Sequence, residues 1–195
     1  RYLYDNIDWN NRLIILFGAR GVGKTTMMLQ YLKENVPLSE ERLYVSLDDL
    51  YFANHSIVEL AEEFIQKGGK YLFLDEIQKY KNWSIEIKNL YDNFPDLYMV
   101  LSGSSSTEIL KSEADLSRRA LYYRLNGLSF REFINFKAGI DFQAFNLAEL
   151  VENHKEISYE ISREIKPIKE FLEYTSYGYN PFFIEDRSSY HQRIK

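Results

Sequence analysis

The run Gly18-Ala19-Arg20-Gly21-Val22-Gly23-Lys24-Thr25-Thr26 follows directly on the apolar stretch Leu13-Ile14-Ile15-Leu16-Phe17. Its first eight residues fit G-x-x-x-x-G-K-[ST], a loop suited to holding phosphate. Glycines let the chain curl so that successive backbone N–H groups point inward at an anion. A helix beginning near Lys24 adds its first-turn N–H groups and the positive end of its dipole. Lys24 is then placed to reach β- and γ-phosphates, and the Thr25 hydroxyl to hold Mg²⁺. Ala19, Arg20, Val22 and Thr26 complete the cradle, with Arg20 a further candidate for contact with a phosphate.

A second acidic signal closes the run Tyr71-Leu72-Phe73-Leu74, where Asp75 and Glu76 stand side by side. An acid at a strand end beside a phosphate-binding loop orders the Mg²⁺ shell, and a second carboxylate next to it can polarise an attacking water. Phosphoryl transfer to water requires that arrangement, in-line attack with charge spreading onto the equatorial oxygens. Ser102-Gly103-Ser104-Ser105-Ser106 ends the next apolar run, and Ser104 is the candidate to hydrogen-bond the γ-phosphate or the water. The same segment also reads as a turn with an N-cap for a helix at Thr107 to Leu110. Arg118 and Arg119 are guanidinium groups of the kind that stabilise transition-state charge, equally readable as solvated surface charge. Asp48-Asp49 faces the same crevice or forms a plain turn. His55, His154 and His191 are scattered and Cys is absent, so no zinc site is expected.

The elements that must position these groups alternate. Arg12 to Phe17 reads as a strand and Thr25 to Asn35 as the helix behind the loop, with Pro37 breaking the pattern. Leu43 to Leu47 is the second strand. Ile57, Leu60, Ala61, Phe64 and Ile65 share one helical face, stopped by Gly68-Gly69. Tyr71 to Leu74 is the third strand, and Ile87, Leu90 and Tyr91 mark a helix ending before Pro95. Leu97 to Leu101 and Leu121 to Leu125 supply the fourth and fifth strands, and Phe130, Phe133 and Ile134 a further helix. Strands alternating with helices imply parallel crossovers, and nearly continuous apolar strands imply helices on both faces. Ligands in such sheets bind at the carboxyl ends of the strands, where Gly18, Asp75 and Ser102 all fall. Beyond Lys137 no strand is expected. Leu147/Leu150/Val151, Ile157/Ile161/Ile165 and Ile168/Phe171/Leu172 suggest short helices, the last two separated by Pro167. The expected division is therefore 1–137 for the sheet domain and 138–195 for a helical lid.

Composition bounds the function. Among 195 residues, 45% are hydrophobic and 27% charged, which fits a soluble globular chain. No apolar run approaches the ~20 residues of a membrane span, and no signal peptide opens the chain. The lack of Cys fits a reducing cytoplasm. A net charge of −5 gives no support to a large nucleic-acid footprint, which needs clustered Lys and Arg. The start at Arg1 and the end at Lys195 suggest a piece of a longer protein.

Together these motifs resemble the prokaryotic AAA+-like ATP-binding proteins, whose members carry a Gly-x-Arg-x-x-Gly-Lys-Thr-Thr loop and an Asp-Glu-Ile-Gln second motif. The matching residues are Gly18 to Thr26, Leu43 to Asp49, Tyr71 to Gln78, Trp83, Leu101 to Ser105 and Leu128 to Phe133. Phe171 to Tyr174 and Tyr177 to Pro181 look like the start of that family's helical region. The resemblance implies an α/β P-loop NTPase fold, a three-layer α/β/α sandwich with a mainly parallel five-stranded sheet and a small helical lid. It implies that Lys24 and Thr25 bind ATP and Mg²⁺, that Asp75 supports the metal, and that Glu76 activates water. Ser104 would be the polar sensor and Arg118 or Arg119 the arginine finger; no sensor arginine is assigned among Arg163, Arg187 and Arg193. The expected activity is Mg²⁺-dependent hydrolysis of ATP to ADP and phosphate, driving a conformational change in a cytoplasmic protein, with a homo-oligomer or protein partner open. The rivals are a nucleotide-gated switch with little turnover, a DNA-associated motor, and a small-molecule kinase, which the adjacent Asp75-Glu76 pair disfavours.

Overall fold

The computed structural model describes residues 1–37, 41–104, 109 and 115–193. The chain divides into two compact units, Arg1–Asn126 and Gly127–Lys195.

In the first unit, β1 (Leu13–Phe17), β2 (Arg42–Ser46), β3 (Tyr71–Asp75), β4 (Tyr98–Gly103) and β5 (Leu121–Arg124) form one sheet in the order β2-β3-β4-β1-β5. Every neighbouring pair is parallel. Parallel neighbours need crossovers, and α1 (Lys24–Asn35), α2 (Ile57–Gln66) and α3 (Trp83–Asn93) supply them. Ser56 and Glu59 close a capping box at the start of α2, which fixes where that helix begins.

The two-residue period of a strand sorts its side chains onto opposite faces. Leu13, Ile15, Phe17, Leu72, Leu74, Met99 and Leu101 pack with Ile57, Phe64, Ile87 and Leu90 of α2 and α3. Ile14, Leu16, Phe73 and Val100 pack with Met27 and Met28 of α1. The unit is thus α/β/α with a separate apolar core on each face, as the continuous apolar strands imply.

The second unit is helical among its described residues: α4 (Phe130–Ala138), α5 (Leu147–Glu164), α6 (Pro167–Tyr177) and α7 (Tyr190–Arg193), with a 3₁₀ turn at Pro181–Ile184. Phe133, Ile134, Leu128, Phe183 and Tyr190 form its core. Ser129 with Glu132, and Asn146 with Glu149, build capping boxes that start α4 and α5. The apolar groups at 147–151 and 157–165, expected in separate short helices, belong largely to the single helix α5. Neither Pro nor Gly interrupts it between Asn146 and Ile165. Lys137 on α4 pairs with Glu170 and with Glu173 of α6, the latter at 2.7 Å.

Candidate phosphate-binding site at the carboxyl ends of the strands

Gly18 leaves β1 where the chain has almost no room. A Cβ there would lie 2.1 Å from the Leu125 carbonyl oxygen, and its φ of +155° strains any side-chain-bearing residue. Gly18 N–H donates to the Gly103 carbonyl at 3.3 Å, and Leu125 N–H to Phe17 at 2.8 Å, so the loop root is clamped between β4 and β5. Gly21 and Gly23 follow at φ of +80° and +96°. Val22 is fully buried and anchors the loop in the α1-side core, while Ala19, Arg20, Gly21 and Thr26 are exposed. Gly23 precedes α1 with no side-chain cap on the helix, so the first-turn N–H groups are left for another acceptor.

Lys24 is only 6% exposed, and its ammonium donates to the carbonyls of Gly18 at 3.0 Å and Ala19 at 2.9 Å. Burial lowers its pKa, and the Glu76 and Asp75 carboxylates partly restore it. Both acids therefore share the electrostatic neighbourhood of the lysine, as the strand-end argument requires.

Asp75, 4% exposed, gathers donors from four sources. The Thr25 hydroxyl donates to its Oδ2 at 2.6 Å and the Tyr44 hydroxyl at 3.1 Å. The Ser102 hydroxyl and the Glu76 N–H, the latter at 2.9 Å, donate to Oδ1. Register explains the grouping. Asp75 has the parity of Phe73, and Ser102 that of Val100, so both share the face of α1 that carries Thr25. Tyr44 stands opposite Phe73 and reaches one pleat further to Asp75. Burial, then the Asp75 charge, pushes the Tyr44 phenol up to about 12, so it remains a donor. Sequence reasoning missed Tyr44 and the contact of Ser102; strand parity with Asp75 is the signal that finds them.

Glu76 leaves the strand in a left-handed backbone conformation, φ +53° and ψ +41°, and opens the 3₁₀ turn Ile77–Lys79. Its carboxylate accepts from the Gln78 amide. That amide also donates to the Ser104 hydroxyl at 2.9 Å, while Gln78 Oε1 accepts the Ser104 N–H at 3.1 Å. The structure thus brings Ser104 to Glu76 through Gln78, a residue the sequence reading did not single out for chemistry.

The remaining candidates make other contacts. Asp49 caps the 3₁₀ turn Leu50–Ala53 and Asp48 accepts from Ser46, so this pair builds a turn. Arg119 makes a two-pronged ion pair with Asp92, at 2.8 and 3.0 Å. It precedes β5 and so sits at the amino-terminal edge of the sheet, opposite Gly18. Arg118 is exposed at the same edge with φ +69°. The proposed helix at Thr107 to Leu110, with Ser105 and Ser106, lies outside the described residues except for Ile109, which is helical and fully buried.

The donor set fits Mg²⁺. That ion keeps several waters and takes one or two protein oxygens plus phosphates rather than an all-protein cage. Thr25 and Asp75 supply one hydroxyl and one carboxylate within a hydrogen bond of each other. No group of three His, Cys, Asp or Glu able to hold a metal occurs among the described residues, and none of their helices is long and apolar enough to cross a membrane.

Residues 10–134 match the model of a family described as AAA domain. Two uncharacterized proteins of Methanocaldococcus jannaschii are similar: MJ1637 is 30% identical over 187 residues, 89% of this chain and 39% of that protein. MJ1544 is 30% identical over 132 residues, 65% of this chain and 29% of that protein. The chain therefore spans well under half the length of these relatives. Among solved structures, AMPPCP-bound DnaA from Aquifex aeolicus is 15% identical with a TM-score of 0.44, covering 95% of this chain and 62% of that one. Membership of the matched family implies nucleotide binding, and the chain belongs to the AAA domain family.

Proposed function

We propose that this chain is a Mg²⁺-dependent ATPase that couples its nucleotide state to an interaction. The carrying observation is the 2.6 Å hydrogen bond from Thr25 to Asp75, with the Lys24 ammonium under the influence of Asp75 and Glu76. In this reading the loop N–H groups and Lys24 hold the β- and γ-phosphates. Thr25 and Asp75 would hold Mg²⁺, which would supply charge neutralisation to the phosphates. Glu76 accepts a proton from the attacking water as its oxygen bonds to the γ-phosphorus and the bond to the β-phosphate oxygen breaks, releasing ADP and phosphate. Ser104 donates to the terminal phosphate or the water. Arg118 is free to serve a neighbouring subunit from the far edge of the sheet, whereas Arg119 would first have to leave Asp92.

One observation favours a second reading, a switch that holds nucleotide with little turnover: the Glu76 carboxylate is already engaged by Gln78. Steady-state phosphate release separates the two. With ATP and Mg²⁺ the parent chain should release phosphate well above Lys24→Ala. Equal rates, with ATP still bound by the parent, would leave only the switch.

A further inference from the structure

We propose that Gln78 is a positioning residue for the hydrolytic step, its carboxamide tying the Glu76 carboxylate to Ser104 so that both face the terminal phosphate as one unit. The inference rests on the hydrolytic reading and adds to it a residue that neither the loop nor the acidic pair requires.

Its hydrogen-bond accounting is complete. The two amide hydrogens go to Glu76 Oε2 and Ser104 Oγ, and the carbonyl oxygen accepts the Ser104 N–H. Exchanging the amide oxygen and nitrogen would set an N–H against the Ser104 N–H, so the network fixes the orientation. Because the Ser104 oxygen accepts from Gln78, the hydroxyl keeps its own proton for donation to an anion.

Two features of the backbone serve this arrangement. Glu76 sits in the left-handed region, a conformation that a glutamate holds only when its surroundings enforce it. Ile77, fully buried, pins the turn that carries Gln78 beneath β4. At the other end, Gly103 leaves the space the amide occupies: a Cβ there would fall 2.7 Å from Gln78 Oε1 and 2.6 Å from Ile109 Cδ1. A carboxylate on a short turn otherwise samples several rotamers, and a misplaced base loses much of its rate contribution. The amide removes that freedom.

The test compares the parent chain, Lys24→Ala, Gln78→Leu, Gln78→Glu, and Gln78→Leu combined with Glu76→Gln. Phosphate release gives kcat, and calorimetric titration with a non-hydrolysable ATP analogue and Mg²⁺ gives Kd. Gln78→Leu should lower kcat by about ten- to a hundredfold with Kd changed less than about twofold. In the Glu76→Gln background the same change should cost nothing further, because the group it positions is gone. Gln78→Glu keeps the shape and the acceptor for Ser104, so it carries the test if Gln78→Leu does not fold. It should lose kcat comparably, since its carboxylate repels Glu76. A parent chain no faster than Lys24→Ala would overturn the hydrolytic reading and this inference with it. An active parent with unchanged kcat in both Gln78 variants would overturn the inference alone. A rise in kcat, or a loss that persists without Glu76, would do the same by making the amide a latch or a merely structural strut.

Discussion

The Thr25 hydroxyl gives its proton to Asp75 Oδ2 across 2.6 Å, joining the first turn of α1 to the end of β3. With the proton so committed, the lone pairs of the Thr25 oxygen are left for a cation, and the carboxylate stands beside them. In the proposed reading, the hydroxyl and the acid would already be arranged for the metal, which would spare the ordering of two side chains on binding.

Asp75 has a structural duty, and substitution should separate it from the proposed metal-binding one. Asp75→Ala leaves the hydroxyls of Thr25, Tyr44 and Ser102 facing a vacated acceptor, and should destabilise the chain by roughly 2–4 kcal/mol in denaturant titration. Asp75→Asn keeps the volume and one acceptor. It should lose less than half as much stability while raising the Mg²⁺ concentration for half-maximal turnover by about tenfold or more. An Asp75→Asn chain with the parent's Mg²⁺ requirement would remove the metal role.

Glu76→Gln should bind ATP and Mg²⁺ as the parent does yet turn it over about a hundredfold more slowly, the usual scale of a general base. Equal kcat for the two would take Glu76 out of the chemistry.

Gly18→Ala tests the clamped loop root. The added Cβ meets a backbone carbonyl rather than a movable side chain, so the strand end or the loop must shift. We expect a loss of about 2–3 kcal/mol in stability and strongly weakened nucleotide binding, read from thermal melts with and without ATP. Undiminished affinity would mean that the loop tolerates a different path.

In the helical unit, hydrogen bonds from Lys137 and then from Tyr177 hold the Glu173 carboxyl at about 2, against the usual 4.5. A depressed carboxylate adds stability above its unfolded pKa and loses it as pH falls through the folded one. The advantage of the parent over Glu173→Gln should therefore be full at pH 6, about 1 kcal/mol for a partly solvated pair. It should shrink steadily as pH falls from about 4.5 toward about 2. A pH-independent difference in circular-dichroism melts would exclude the ion pair as its source.

The glycine-rich loop, the acidic pair and the five strands were legible because each is a local pattern. Apolar runs end at glycine or acid, and glycine spacing needs no distant partner to be recognised. The two-faced core followed equally directly from strands that stay apolar at successive positions. The helical region was less legible: apolar spacing at 147–151 and 157–165 suggested separate helices, but an uninterrupted backbone with a capping box at Asn146 makes one.

What the sequence alone determined is the set of chemical groups and the strand ends on which they stand, since backbone preference and two-residue alternation act over a few neighbours. What only the tertiary structure decided is who meets whom. Tyr44 and Ser102 reach Asp75, Gln78 reaches Ser104, and Arg119 is committed to Asp92, all through contacts between residues far apart in the chain. Each of those meetings depends on strand order and register. These are set by burying both faces of the sheet at once, a condition on the whole unit that no local stretch of residues carries.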